Sequence, residues 1–123
     1  MPPHSPDPIR TLLLQERVRT VDQVDALTRQ LDEFIASSEQ VATDDEHDPE
    51  GHTLAFERQQ IVALLAHART RASEADAALA RLDSGVYGTC AECGRAIAVE
   101  RLDARPTTRL CISCAGARHG VSG

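Results

Sequence analysis

The sequence predicts a mainly α fold, in which a long antiparallel coiled-coil hairpin is followed by a small C-terminal four-cysteine module and a short terminal helix. Three observations lead to this prediction. Two long segments carry apolar residues three or four positions apart, the spacing of a helix face. A short acidic link separates these segments, and two Cys-x-x-Cys pairs follow the second one. The chain has 123 residues and 41% apolar content, which is enough for one modest core.

The first helix is predicted from Pro8 to about Ala42. Asp7 can cap its N-terminus, and Pro8 suits the first helical position because the N–H that it lacks has no intrahelical partner there. The apolar residues that follow are spaced so that they lie along one stripe of the helix. They are Leu14, Val18, Val21, Val24, Leu27, Leu31 and Phe34.

The second helix has a cleaner heptad pattern, sustained over three repeats. Asp48 with Pro49, or Thr53 one turn later, is predicted to begin it, and Gly85 to end it. Alanines at the centre of its apolar seam allow a partner helix to approach closely. The seam consists of Ile61, Leu65, Ala68, Ala72, Ala75, Leu79 and Leu82.

The short link between the helices favours an antiparallel hairpin with arms roughly 45 to 50 Å long. A compact bundle, or pairing of the helices with another chain, is the alternative. The predicted organisation is a flexible N-terminus at residues 1–7, the hairpin at 8–84 with its acidic tip at 43–52, the cysteine module at 85–119 and a flexible tail at 120–123.

The predicted tip concentrates negative charge. The stretch SEQVATDDEHDPEGH, residues 38–52, contains six carboxylates and no arginine or lysine. Like charges so close together repel each other, and folding gains nothing from them. Either they act on a partner or they merely solvate a loop. The candidate tip residues are Asp44, Asp45, Glu46 and Asp48.

The four cysteines carry the clearest chemical signal, in the stretch CAECGRAIAVERLDARPTTRLCISC. Cys90 and Cys93 form one Cys-x-x-Cys pair, and Cys111 and Cys114 form the other. This spacing lets each tight turn aim two sulfurs at one ion, and the longer gap lets two such turns complete a tetrahedron. Gly94 gives the first turn its backbone freedom. We therefore predict one structural zinc ion held by four thiolates.

Two disulfides or four free thiols are the alternatives to zinc. The chain has no recognisable secretion signal, and reducing conditions disfavour stable disulfides. A redox-active pair is expected beside a βαβ pattern, which the sequence lacks. Four bound sulfurs leave no open position for water or substrate, so zinc catalysis is disfavoured and no enzymatic activity is expected.

Charge and hydropathy restrict the partners. The net charge of −6 argues against a protein held to DNA by phosphate contacts. Residues 1–84 carry 16 acids against 8 arginines, and residues 85–123 carry 3 against 5. No apolar run reaches the length of a membrane span, and MPPHSPDPIR has neither the basic start nor the apolar stretch of a signal peptide. A cytoplasmic monomer without sequence-specific DNA binding is expected.

The run RLDSGVYGTCAECGRAIAVERLDARPTTRLCISC, residues 81–114, resembles the zinc finger of the DksA/TraR family of bacterial transcription factors. The resemblance includes the G-x-Y-G-x-C lead-in to Cys90 and the E-R-L-x-A-R-P stretch from Glu100 to Pro106. Upstream, DEHDPEG followed by AFER resembles the hairpin tip of DksA-like members. Their D-x-x-D-x-A tip pattern aligns with Asp45 and Asp48, and Glu50 stands where those members have alanine.

The resemblance implies a partner and a mechanism. Family members bind RNA polymerase directly, insert the hairpin into its secondary channel and place the acidic tip near the catalytic centre, where it alters initiation. Two other hypotheses stay open. A factor like the Gre proteins would use its tip carboxylates to hold magnesium and stimulate transcript cleavage. A zinc-stabilised coiled-coil adaptor would use them only for solvation.

Overall fold

The computed structural model describes residues 6–41 and 49–121, with side chains described for residues 8–39 and 51–117. Its elements are α1 (Pro6–Val41), α2 (Pro49–Asp83), α3 (Val99–Ala104) and α4 (Ile112–Val121). Within the described residues the only β pairing is an isolated antiparallel bridge between Thr89 and Ala96. None of the described helices has the length and apolar character needed to cross a membrane. The predicted mainly α fold is confirmed.

The chain divides into two compact units, to both of which α1 and α2 contribute. The unit of residues 18–72 has a core of Leu27, Leu65 and Ala68, against which Val24 and Leu31 pack. In the same unit a terminal nitrogen of the Arg71 guanidinium donates to the Gln23 side-chain oxygen. Leu27 follows Gln23 in α1, whereas its partners Leu65 and Ala68 precede Arg71 in α2. The two helices therefore run antiparallel, as the sequence predicts.

The other unit comprises residues 1–17 and 73–123. Here Leu13, Ala75 and Ala78 are fully buried. Arg10 pairs with Asp83 at 2.7 Å and Arg17 pairs with Asp76 at 2.6 Å, again in antiparallel order. All four of these charged side chains are at least 40% exposed, so the pairs contribute little stability and the apolar seam holds the helices together.

The seam predicted for α2 is largely correct, although it omits the fully buried Ala78. The N-terminal half of the α1 stripe is wrong by one residue. Leu14, Val18 and Val21 are exposed, while Leu13 and Thr20 are buried. Leu13, Thr20 and Leu27 recur at heptad spacing, so a threonine occupies a seam position that the sequence pattern assigned to a neighbouring valine. Exposing a single valine to solvent lowers the stability of the fold only slightly. The register of the two helices can therefore decide which face of α1 is buried, even where that face includes a threonine.

The end of α2 is fixed by a glycine cap. Gly85 has a φ of 79°, the left-handed conformation that glycine adopts without steric cost. Its N–H donates to the Leu82 carbonyl at 3.2 Å, and the Val86 N–H donates to the Arg81 carbonyl at 3.0 Å. These two bonds form a Schellman motif, which satisfies the last carbonyls of the helix and turns the chain toward the cysteines.

The fully buried Ala75 provides a test of the seam. Ala75→Asp places a charge between closely packed helices, so we expect the free energy of unfolding to fall by about 3 kcal/mol or more. Ala66→Asp, at an exposed position of the same helix, is the control and should change it by less than about 1 kcal/mol. Thermal melts followed by circular dichroism at 222 nm measure both. Equal melting temperatures for the two variants would contradict this packing.

Candidate metal centre

The first cysteine pair lies on a tight turn closed by the Thr89–Ala96 bridge. The Gly94 N–H donates to the Cys90 carbonyl at 3.0 Å. Gly94 has a φ of 75°, which a residue with a Cβ adopts only under strain. This glycine lets the backbone reverse directly after Cys93, so that both sulfurs of the pair face the same side.

The second pair lies at the start of α4. Cys114 belongs to the first turn of that helix, and the Ala115 N–H donates to the Cys111 carbonyl at 2.9 Å. A hydrogen bond of 2.8 Å from the Ala91 N–H to the Arg109 carbonyl connects the two cysteine turns directly. The backbone therefore fixes the distance between the pairs.

The four sulfurs converge on one point. The Sγ atoms of Cys90, Cys93, Cys111 and Cys114 all lie within 4.8 Å of one another, and those of Cys93 and Cys111 are 3.8 Å apart. A tetrahedron with zinc–sulfur bonds of about 2.3 Å has edges of about 3.8 Å. A disulfide requires about 2.05 Å between sulfurs, and all four cysteines are free. The donor set therefore fits one zinc ion, and the predicted cofactor is confirmed.

Electrostatics also favour a cation at this point. Hydrogen bonds from the backbone amides of Cys111 and Cys93 lower the pKa of the Cys90 thiol to about 6. The pKa of Cys114 is instead raised to about 12, chiefly because its thiol donates to the Cys111 and Cys90 sulfurs. The Cys114 thiol thus resists ionisation beside its neighbours, and a divalent cation would remove that resistance by binding all four sulfurs as thiolates.

The apolar core around the cysteines is very small. Its buried members are Cys90, Ile97 and Leu102, and the partly buried Tyr87 and Leu110 pack against them. So few buried side chains cannot order a segment of about 35 residues by themselves. The sulfurs of the metal centre are part of this core, so the ion completes it.

Side-chain donors hold the loop that precedes the second cysteine pair. The Tyr87 hydroxyl donates to the Pro106 carbonyl at 2.7 Å, and Arg101 Nε donates to the Leu110 carbonyl at 2.9 Å. From the last turn of α2, a terminal guanidinium nitrogen of Arg81 donates to the Thr108 carbonyl at 2.8 Å. Burial lowers the pKa of Arg81 and raises that of Tyr87. Sequence reasoning assigned no role to these arginines, because nothing in the sequence identifies the backbone carbonyl that a side chain will reach.

Comparison with known proteins identifies the module. Residues 85–118 match the family described as the prokaryotic dksA/traR C4-type zinc finger. The structure of transcription factor DksA2 from Pseudomonas aeruginosa superposes with a TM-score of 0.75 and 26% identity, covering 95% of this chain and 84% of that one. The zinc-finger module of this chain therefore belongs to the DksA/TraR family, and the chain as a whole is DksA-like.

Two curated relatives resemble the chain over shorter stretches. The RNA polymerase-binding transcription factor DksA of Haemophilus influenzae is 49% identical over 39 residues, which are 32% of this chain and 27% of that protein. An uncharacterized protein of Aquifex aeolicus is 48% identical over 42 residues, 34% of this chain and 29% of the relative. The matched stretches thus span less than a third of the length of these two relatives.

The geometry gives physical reasons for the family motif in this chain. Gly85 ends α2 and Gly88, with a φ of 85°, turns the chain again before Cys90. The Tyr87 hydroxyl donates to the carbonyl of Pro106, the proline of the E-R-L-x-A-R-P stretch. Arg101, the first arginine of that stretch, donates to the Leu110 carbonyl in the loop before Cys111. The motif residues therefore act together to bring the two cysteine pairs face to face.

The predicted tip residues of this DksA-like chain lie outside the described residues. They are Asp44, Asp45, Glu46 and Asp48. α1 ends at Val41 and α2 begins at Pro49, so the link between the two helices contains all four. Their role as a polymerase-contacting tip stays a prediction.

Proposed function

We propose that this protein is a transcription regulator that binds RNA polymerase directly and inserts its acidic hairpin tip into the secondary channel to modulate initiation. The observation that carries the proposal is the similarity to transcription factor DksA2 over 95% of the chain. The Haemophilus relative, named as binding RNA polymerase, supports the same partner. Two long helices, of 36 and 35 residues, bracket the acidic link and make it suited to reach into a channel.

In this proposal the zinc ion is structural. Cys90, Cys93, Cys111 and Cys114 hold it, and its four thiolates leave no ligand position for a reacting molecule. The ion stabilises the module, and the tip carboxylates act on a partner's catalytic centre. The protein itself is then not an enzyme.

The charge of the chain supports binding to polymerase and not to promoter DNA. A net charge of −6 repels a DNA backbone. An acidic tip suits a protein site that holds magnesium and basic side chains. We propose that one monomer acts on one polymerase, without sequence-specific DNA contacts, in the cytoplasm where transcription takes place.

Affinity capture with purified core RNA polymerase tests the proposal. The protein should bind the polymerase without DNA, and it should change the yield of initiation from a sensitive promoter in a purified transcription reaction. Strong stimulation of transcript cleavage in stalled complexes would instead favour the Gre-like alternative. Failure to bind the polymerase would leave the coiled-coil adaptor.

A further inference from the structure

A groove of about 550 Å³ runs between α1 and α2 within the unit of residues 18–72. Its lining comes from residues 30–37 of α1 and residues 57–64 of α2. Phe34, Ile61 and Leu64 form its apolar part. Each stretch is about 10 Å long at 1.5 Å per residue, which is about two turns of a helix.

The apolar part of the groove is incompletely covered. Ile61 is buried, but Leu64 is 53% exposed although it lies in a groove and not on a convex surface. Phe56, one of only two phenylalanines in the chain, is 64% exposed and lies one helical turn before the lining residue Gln60. Exposed apolar side chains bordered by polar residues are a common feature of interaction sites.

Among the side chains that the structure describes, the charged ones that line the groove are Glu33 and Glu57, one from each helix. Both are exposed, and neither has an ion-pair partner among the described residues. The groove therefore offers an apolar floor between two uncompensated carboxylates. Charge complementarity requires an occupant that carries arginine or lysine on both sides of an apolar stripe.

We propose that this groove docks a two-turn amphipathic helical segment of RNA polymerase, with apolar side chains over Phe34 and Leu64 and basic side chains against Glu33 and Glu57. The inference rests on the proposed function for the identity of the partner. It adds a contact along the arms of the hairpin that is distinct from the tip. Binding of an amphipathic helix in a groove uses apolar anchors three or four residues apart, which matches the two-turn length.

A pair of double variants tests the charge requirement. Glu33→Arg with Glu57→Arg should weaken binding to core RNA polymerase at least tenfold, because the introduced arginines would then repel the basic side chains of the docked segment. Asp22→Arg with Asp25→Arg changes the formal charge equally at exposed positions of α1 outside the groove lining, and should weaken binding less than threefold. Circular dichroism confirms that both variants keep their helices. Equal affinities of the two variants would overturn the proposal.

Photo-crosslinking tests the location independently. A benzophenone amino acid in place of Leu64 should crosslink to a polymerase segment that contains both apolar and basic residues. The same group in place of the exposed Ala66, about 200° around the helix, should not. A crosslink from position 66 alone, or from position 64 to an acidic segment, would overturn the docking site even if the protein binds polymerase. If the parent protein does not bind polymerase at all, the proposed function fails first and the groove assignment falls with it.

Discussion

Removing zinc is expected to unfold residues 85–119 while the helical signal of α1 and α2 largely persists. Within the part of this module that the structure describes, three residues form the buried core, and one of them is the zinc ligand Cys90. Metal binding contributes on the order of 10 kcal/mol to the folding of comparable four-ligand modules, far more than this core can supply. We expect native mass spectrometry to find one zinc per chain. A strong chelator should then expose the module to trypsin while the loss of ellipticity at 222 nm stays small.

Single substitutions separate loss of the metal from general damage to the module. Cys90→Ser removes a ligand and should abolish stoichiometric zinc, with the same protease sensitivity as chelation. Ser113→Ala, at an exposed position between two ligands, should leave zinc and protection unchanged. A metal-free chain whose module stays protected, or one that carries two disulfides in the place of zinc, would contradict a structural metal.

The metal centre could be predicted because short sequence patterns around the cysteines determine it. Two residues between cysteines determine which sulfurs share a turn, and Gly94 marks where the backbone must reverse. The positioning of the loop before Cys111 was not predictable in this way. Arg81 and Arg101 donate to the carbonyls of Thr108 and Leu110, and such acceptors have the same chemistry at every position of the chain. Only the three-dimensional fold selects which of them an arginine reaches.

The two helices show the same difference between local and tertiary information. In α2 apolar residues occupy the seam throughout, so the sequence alone identifies most of the buried face. In α1 the fully buried Thr20 interrupts the apolar pattern, and Val18 and Val21 on a neighbouring stripe mimic its continuation. Packing against α2 determines which of the two stripes is buried, and the sequence of α1 alone does not specify that packing.

The largest functional effect is expected at the tip. We expect Asp45→Asn with Asp48→Asn to keep the hairpin folded and to retain binding to core RNA polymerase, because in the proposed complex the arms and the zinc module would supply most of the contact surface. The effect on initiation should nevertheless be lost, since the negative charge that would act on a centre holding magnesium and basic side chains is gone. Transcription from a sensitive promoter, with polymerase affinity measured in parallel, distinguishes loss of regulation from loss of binding.

Position, and not total charge, should decide the result. Asp22→Asn with Asp25→Asn removes the same formal charge from exposed positions on α1 and should leave regulation largely intact. If the carboxylates served only solubility, the two double variants would behave alike, because solvation depends on how many charges a surface carries and hardly on where they lie. Equal loss of regulation in both, or full regulation by the tip variant, would therefore remove Asp45 and Asp48 from the mechanism. Loss confined to the tip variant, at unchanged affinity, would locate the regulatory action of this protein in the acidic link between α1 and α2.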